Sequence, residues 1–213
     1  MSVNAIDLLL YTGGLLVLFL TPGPVWVALI GRTLGGGLAA AVPLAFGVMV
    51  GDLLWPTLAI LGLSWLVTQF SMILILLKAV AVVVFWGMGL ALLRRTDQAI
   101  AQESRLIKPG AWAGFIAGAA VIIGNPKAML FYLAILPGFF DFNTLTALDM
   151  ALIALLSASI PFTGNLCVAL LVTRSRQFFT SPQSRQRITQ ISGGLLILVG
   201  TVIPFTYATK YSL

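Results

Sequence analysis

A chain of 213 residues that is 60% hydrophobic and only 8% charged is not a water-soluble domain, because such domains carry roughly a quarter charged residues. With no histidine and a single cysteine, Cys167, it has no intrachain disulfide, no CxxC redox pair and no soft-metal ligand set, so no cofactor or metal is expected. The net charge of +6 does not point to nucleic acid: the basic residues sit in short segments between apolar runs, where they orient a membrane protein.

The opening residues, Met1 to Asp7, lack the basic stretch of a secretory leader, so the first apolar run is expected to stay in the mature protein. Six apolar runs can be drawn, at about 5–30, 38–63, 70–93, 111–136, 148–172 and 188–208, each near the ~20 residues a helical crossing needs. The first holds Thr21-Pro22-Gly23-Pro24 in a stretch without charge from Leu8 to Ile30. Each proline lacks an N–H and clashes with the carbonyl four residues back, so a helix breaks here. In hydrocarbon the freed backbone groups are tolerated only where protein or a watery cavity satisfies them, which makes the break a candidate ligand site.

Arg32 and Gly35-Gly36-Gly37 read as a tight turn. The second run carries Gly47-x-x-x-Gly51 and then Asp52, about halfway along. A charge at that depth costs at least about 2.5–3.5 kcal/mol unless it faces a polar cavity or is neutralised. Asp52 is therefore a candidate proton carrier; the plainer alternative is an acid paired with Lys127 or capping freed N–H groups. An uncharged connection around Ser64 to Ser71 leads to the third run, where Lys78 lies near an end and can snorkel to the interface.

The fourth run opens on Gly110, Gly114 and Gly118 at four-residue spacing. Like Gly47 and Gly51, these suit close helix packing within the chain, with dimerisation the lesser alternative. It then breaks at Gly124-Asn125-Pro126-Lys127. Pro126 suits the first turn of a new half-helix, whose N-terminal N–H groups favour an anion, with the Lys127 ammonium adding charge. The plainer alternative is that Lys127 neutralises Asp52. The fifth run carries Gly164-Asn165-Leu166, and the sixth Gly193, Gly194 and Gly200. Asp7, Asp141 and Asp149 fall at outer edges and are expected to be solvated, and the five tryptophans to serve as interfacial or packing residues.

Nine of the twelve basic residues (Arg32; Arg94, Arg95, Arg105 and Lys108; Arg174, Arg176, Arg185 and Arg187) lie in the odd-numbered connections. That bias predicts cytoplasmic odd connections and extracytoplasmic termini. The breaks at Pro22-Gly23-Pro24 and Asn125-Pro126-Lys127, with Gly51-Asp52 and Gly164-Asn165, recur in the same order. The chain therefore reads as one all-α membrane domain, 1–213, of six transmembrane helices in two inverted three-helix repeats, about 1–95 and 110–213, with the first and fourth helices interrupted. Matched interruptions of this kind point to a transporter's midplane site.

These residues together resemble the LysE/RhtB family of bacterial amino-acid exporters: Thr21-Pro22-Gly23-Pro24 with the glycine turn, Gly47-x-x-x-Gly51-Asp52, Leu77-Lys78 ahead of Gly87 and Gly89, and Gly124-Asn125-Pro126-Lys127-Ala128 leading to Leu136-Pro137. Gly138 and Ala81 depart from common family residues. The resemblance implies a multi-pass inner-membrane protein, not an enzyme, that exports amino acids or their derivatives (basic amino acids, threonine, homoserine or its lactone), driven by protons or membrane potential. The expected substrate-binding residues are Thr21, Pro22, Gly23, Pro24, Asp52, Asn125, Pro126, Lys127 and Asn165, with Asp52 also coupling protons. Membrane lipid is the other expected partner, and a homo-oligomer stays open. A passive channel built on the same broken helices is the alternative.

Overall fold

The computed structural model describes residues 3–69, 72–94, 110–175 and 181–202, and every regular element among them is helical. Helix α1, Ala5–Leu20, starts at Asn4, whose side chain accepts the Asp7 N–H at 2.9 Å. It stops at Thr21 because neither Pro22 nor Pro24 can donate to the preceding turn. Helix α2 spans Pro24–Gln69 but is not one rod, since Gly37 has φ 67° and ψ −166°. Its apolar part, Pro24–Gly62, has 39 residues and would extend ~58 Å if straight, nearly twice the ~30 Å hydrocarbon core. A positive φ of this kind is open to glycine at little steric cost, and the predicted glycine turn is a one-residue break in an otherwise helical stretch.

Then follow α3, Ile73–Arg94, and α4, Ala111–Ile123. Across the Gly124-Asn125 break comes α5, Pro126–Leu130, continued by a π-helical turn, Phe131–Ile135, and α6, Leu136–Phe139. Pro137 lacks the N–H that would reach Leu133, which accounts for the ladder widening one turn upstream. Helix α7, Ala147–Arg174, and α8, Pro182–Val202, complete the chain.

Among the described residues, two helices, Pro24–Gly62 and Ala147–Arg174, are long and apolar enough to cross a membrane, and the pair Ala111–Ile123 with Pro126–Phe139, bent by 49°, makes a third if taken as one span. Exposure is inverted relative to a protein in water. Leu9, Val83 and Trp112 are about 70% exposed, whereas Asp52, Lys127 and Asn165 are 3%, 6% and 1% exposed. An outer surface of large apolar side chains, with the polar groups turned inward among a mostly apolar core, is the arrangement lipid selects. The molecule is a multi-pass membrane protein.

Helix α2 packs on α4 and α7, α1 on α7, and α3 on α8. Glycines set the closest approaches. A Cβ at Gly47 would run into the Phe115 carbonyl, and one at Gly118 into the Leu44 carbonyl. Between α3 and α8, a Cβ on Gly89 or Gly193 would lie 2.8 Å from the other's carbonyl oxygen. The small-residue faces at 47, 114 and 118 are thus occupied inside the chain, where they bring backbones together.

Three expectations need correction. Residues 64–69, expected to form a connection, continue α2, because nothing in that uncharged stretch removes a backbone donor. The fourth apolar run ends at Phe139 rather than at 136. Asp149 is fully buried rather than solvated: it forms a capping box with Thr146, whose hydroxyl lies 2.6 Å from Asp149 Oδ2. The sequence Thr146-x-x-Asp149 carries that signal, since a side-chain acceptor at each end satisfies the first-turn N–H groups. The side chain of Lys78, and residues 203–208 of the sixth run, lie outside the described set.

Gly118→Val should lower the thermal unfolding midpoint of the detergent-purified protein, an overpacking cost of about 1–3 kcal/mol. Gly13→Ala, at a position inside α1 with nothing within 4 Å, should not lower it, since alanine favours a helix interior over glycine by about 0.5–1 kcal/mol.

Candidate functional site

The two helix breaks meet at the centre of the molecule, where one supplies the ligand of the other. Pro22 cannot donate to Leu18, so the Leu18 carbonyl has no intrahelical partner. The Lys127 ammonium donates to that carbonyl at 3.0 Å and also to the Thr21 carbonyl. Gly23 lies beside it: a Cβ there would sit 3.4 Å from Lys127 Nζ, at ordinary contact distance. The same logic holds at the second break. Pro126 cannot donate to Ile122, and the Trp55 indole N–H donates to the Ile122 carbonyl at 3.3 Å, joined by the Asn125 N–H at 3.2 Å. Trp26 donates its indole N–H to the Phe19 carbonyl at 2.9 Å. Trp26 and Trp55 are therefore not merely interfacial or packing residues: their ring N–H groups finish the interrupted helices.

Asn125 is an N-cap. Its side-chain oxygen accepts the Lys127 N–H at 3.2 Å, and Pro126 follows in the first turn of α5. Thr21 is buried and turns its hydroxyl back onto the Val17 carbonyl at 2.7 Å. Pro22, Gly23 and Pro24 act through backbone geometry. The Leu18 carbonyl freed at this break holds the Lys127 ammonium.

Between the breaks lies a cavity of about 40 Å³, lined by Asp52, Asn125, Lys127 and Asn165 together with apolar side chains that include Phe19, Val25, Trp26 and Pro161. At ~10–15 Å³ per water on this measure, it has room for a few water molecules. Asp52 reaches it from α2 and Asn165 from α7, and each follows a glycine that admits a close neighbour. A Cβ at Gly51 would strike Ile122, and one at Gly164 would strike the Phe19 ring.

Asp52 Oδ1 accepts the Tyr132 hydroxyl at 3.4 Å, while Asp52 Oδ2 and both polar atoms of the Asn165 side chain have no hydrogen-bond partner among the described residues. A buried carboxylate oxygen and a buried amide without partners are costly. They offer an acceptor, a second acceptor and a donor to whatever enters the cavity.

Of the nine residues expected at the site, Asp52, Asn125, Lys127 and Asn165 line the cavity, and Thr21 and Gly23 touch or flank the Lys127 ammonium. Tyr132, Trp26 and Trp55 were not expected there. Proline position gave a usable signal for Trp55 alone: Pro126 orphans the Ile122 carbonyl four residues back and so implies a donor, whereas the Phe19 carbonyl that Trp26 meets lies four residues before Gly23. Sequence does not say which side chain supplies it.

Residues 16–205 match the LysE family, described as LysE type translocator, and the chain belongs to that family. It is similar to an uncharacterized membrane protein, slr1627, of Synechocystis sp., at 28% identity over 194 residues covering 90% of this chain and 92% of the relative. No solved structure matches the chain.

Replacing Lys127 by methionine keeps the length of the side chain but leaves the Leu18 and Thr21 carbonyls without a donor. Each buried acceptor left unsatisfied costs about 1–3 kcal/mol, so Lys127→Met should unfold at clearly lower temperature than the wild type. Gly23→Ala, whose new methyl reaches ordinary contact distance, should be far milder.

Proposed function

We propose that this LysE type translocator exports amino acids or amino-acid derivatives across the bacterial inner membrane, by alternating access around the cavity between its two helix breaks. The single observation that carries the reading is the set of buried, unpartnered polar atoms, Asp52 Oδ2 and the Asn165 amide, facing one cavity with a lysine. A zwitterion matches this set. Its ammonium meets Asp52 and the Asn165 carbonyl oxygen; its carboxylate meets the Asn165 N–H groups and draws the Lys127 ammonium off the backbone carbonyls. Asp52 is also the proton carrier, and protonation from outside releases the substrate's ammonium there. Moving one elementary charge through 100 mV contributes about 2.3 kcal/mol, enough to bias export.

The architecture behind this reading is six spans in two inverted repeats, with basic connections in the cytoplasm and both termini outside. Support comes from matched contacts: Gly51 lies against Ile122 just before the second break, and Gly164 against Phe19 just before the first. In each case the next residue, Asp52 or Asn165, faces the cavity.

The test is efflux from reconstituted vesicles under an imposed proton gradient, with basic, neutral and hydroxy amino acids as probes. Export should saturate and move protons; flux that neither saturates nor moves protons would identify a channel instead. Asp52→Asn should cut uphill export at least roughly tenfold, since a charge-assisted contact is worth about 1.5–3 kcal/mol. Uphill export that keeps its proton dependence in that variant would remove Asp52 from coupling.

A further inference from the structure

A second buried polar cluster lies beside the cavity but not in its wall. Tyr132 sits in the π-helical turn five residues after Lys127, and its hydroxyl reaches Asp52 Oδ1 at 3.4 Å. This is long for an O–H···O bond, and so easily exchanged for another. Ser157 on α7 lies within interaction range of the Tyr132 hydroxyl. Ser157 in turn lies 2.5 Å from the Tyr11 hydroxyl on α1. Tyr11, Tyr132 and Ser157 are all fully buried, and two of the ring contacts of Tyr11, to Phe139 and Phe140 at centroid distances of 5.6 and 5.2 Å, are apolar.

Donor counting fixes the direction of these bonds. A serine hydroxyl has one proton, and Ser157 gives it to the Ile153 carbonyl at 2.6 Å. Tyr11 is therefore the donor in its bond to Ser157, and Tyr132, when it bonds Asp52, donates as well. Ser157 keeps one further lone pair, open to Tyr132.

We infer that Tyr132 is a positioning residue through which the state of the Asp52 carboxylate is transmitted to the Tyr11–Ser157 bond that ties α1 to α7. While Asp52 is a bare carboxylate, Tyr132 donates to it and Tyr11 alone donates to Ser157. When Asp52 is neutralised, by a proton or by a bound ammonium, it becomes the weaker acceptor. The Tyr132 hydroxyl then turns to the open lone pair of Ser157, and because an oxygen that accepts two hydrogen bonds holds each more weakly, the Tyr11 bond and with it the seam between α1 and α7 loosen. Hydrogen bonds in a buried network respond to one another in this way. The π turn matters because its extra residue rotates Tyr132 relative to a regular helix. The inference rests on the transport reading for its purpose, though not for its test.

The test uses the full chain in detergent with isotope-labelled tyrosine, read by infrared difference spectroscopy. The C–O band of Tyr11, assigned by its loss in Tyr11→Phe, should shift on Asp52→Asn although the two residues are not hydrogen-bonded. That shift should vanish when Asp52→Asn is made in a Tyr132→Phe background. Should Tyr132→Phe fail to fold, Ser157→Ala breaks the same chain at its next link and should abolish the shift likewise.

A Tyr11 band indifferent to Asp52→Asn would overturn the inference. So would one equally sensitive with and without the Tyr132 hydroxyl, which would mean a direct field from Asp52. In vesicles, Tyr132→Phe should lower the maximal efflux rate about tenfold with KM changed less than about twofold, the pattern of a lost step rather than lost binding; an unchanged rate would also overturn it. Absence of export by the wild type would count against the transport reading alone, because the infrared arm needs no transport.

Discussion

Lipid cannot hydrogen-bond a loose peptide group, and two prolines in the middle of this molecule leave such groups behind. The structure answers with donors brought from elsewhere: the Lys127 ammonium on the Leu18 and Thr21 carbonyls and the Trp55 indole on the Ile122 carbonyl. The Lys127 contact is reciprocal in effect. The second break positions Lys127, through the Asn125 cap and the proline after it, and the first break provides the carbonyls that a buried ammonium requires. A lysine this deeply buried without such acceptors would be very costly. Each interruption makes the other tolerable.

That arrangement leaves a polar remainder. With Lys127 bound to backbone oxygens, Asp52 Oδ2 and the Asn165 side chain stay without partners. Buried polar atoms without partners are uncommon in folded proteins and usually mark a functional role or a ligand. The glycines around them serve this geometry. Gly51 and Gly164 let Ile122 and Phe19 approach closely enough to shape the cavity, while Gly47, Gly118, Gly89 and Gly193 hold the surrounding helices at backbone-contact distance.

Much of the fold was legible in the residues, for stated reasons. The break at Pro22-Gly23-Pro24 followed from two missing N–H groups, and the break before Pro126 from a third. Asp52, Lys127 and Asn165 stood out because ionisable and amide groups are expensive at that depth. Asp149 was misplaced because its position at the edge of an apolar run was taken to mean solvation, although Thr146 three residues before it completes a capping box that the sequence carries. Asn125 was read as a ligand residue, and it both lines the cavity and caps α5, a role the reading did not include. Tyr11, Tyr132 and Ser157 gave no signal, since a tyrosine or serine in an apolar run is ordinary and their partners lie up to 146 positions apart.

The sequence by itself determined that the chain lives in a membrane, where its helices must fail, and which side chains are too polar to face lipid. These follow from transfer energies and backbone chemistry, which are local properties. Only the tertiary structure decided that Lys127 serves the first break, that two tryptophans close the helix ends, and that a tyrosine in a π turn reaches Asp52. Those choices depend on which helices lie side by side, set by glycine contacts between segments far apart in the chain, and no local rule encodes that proximity.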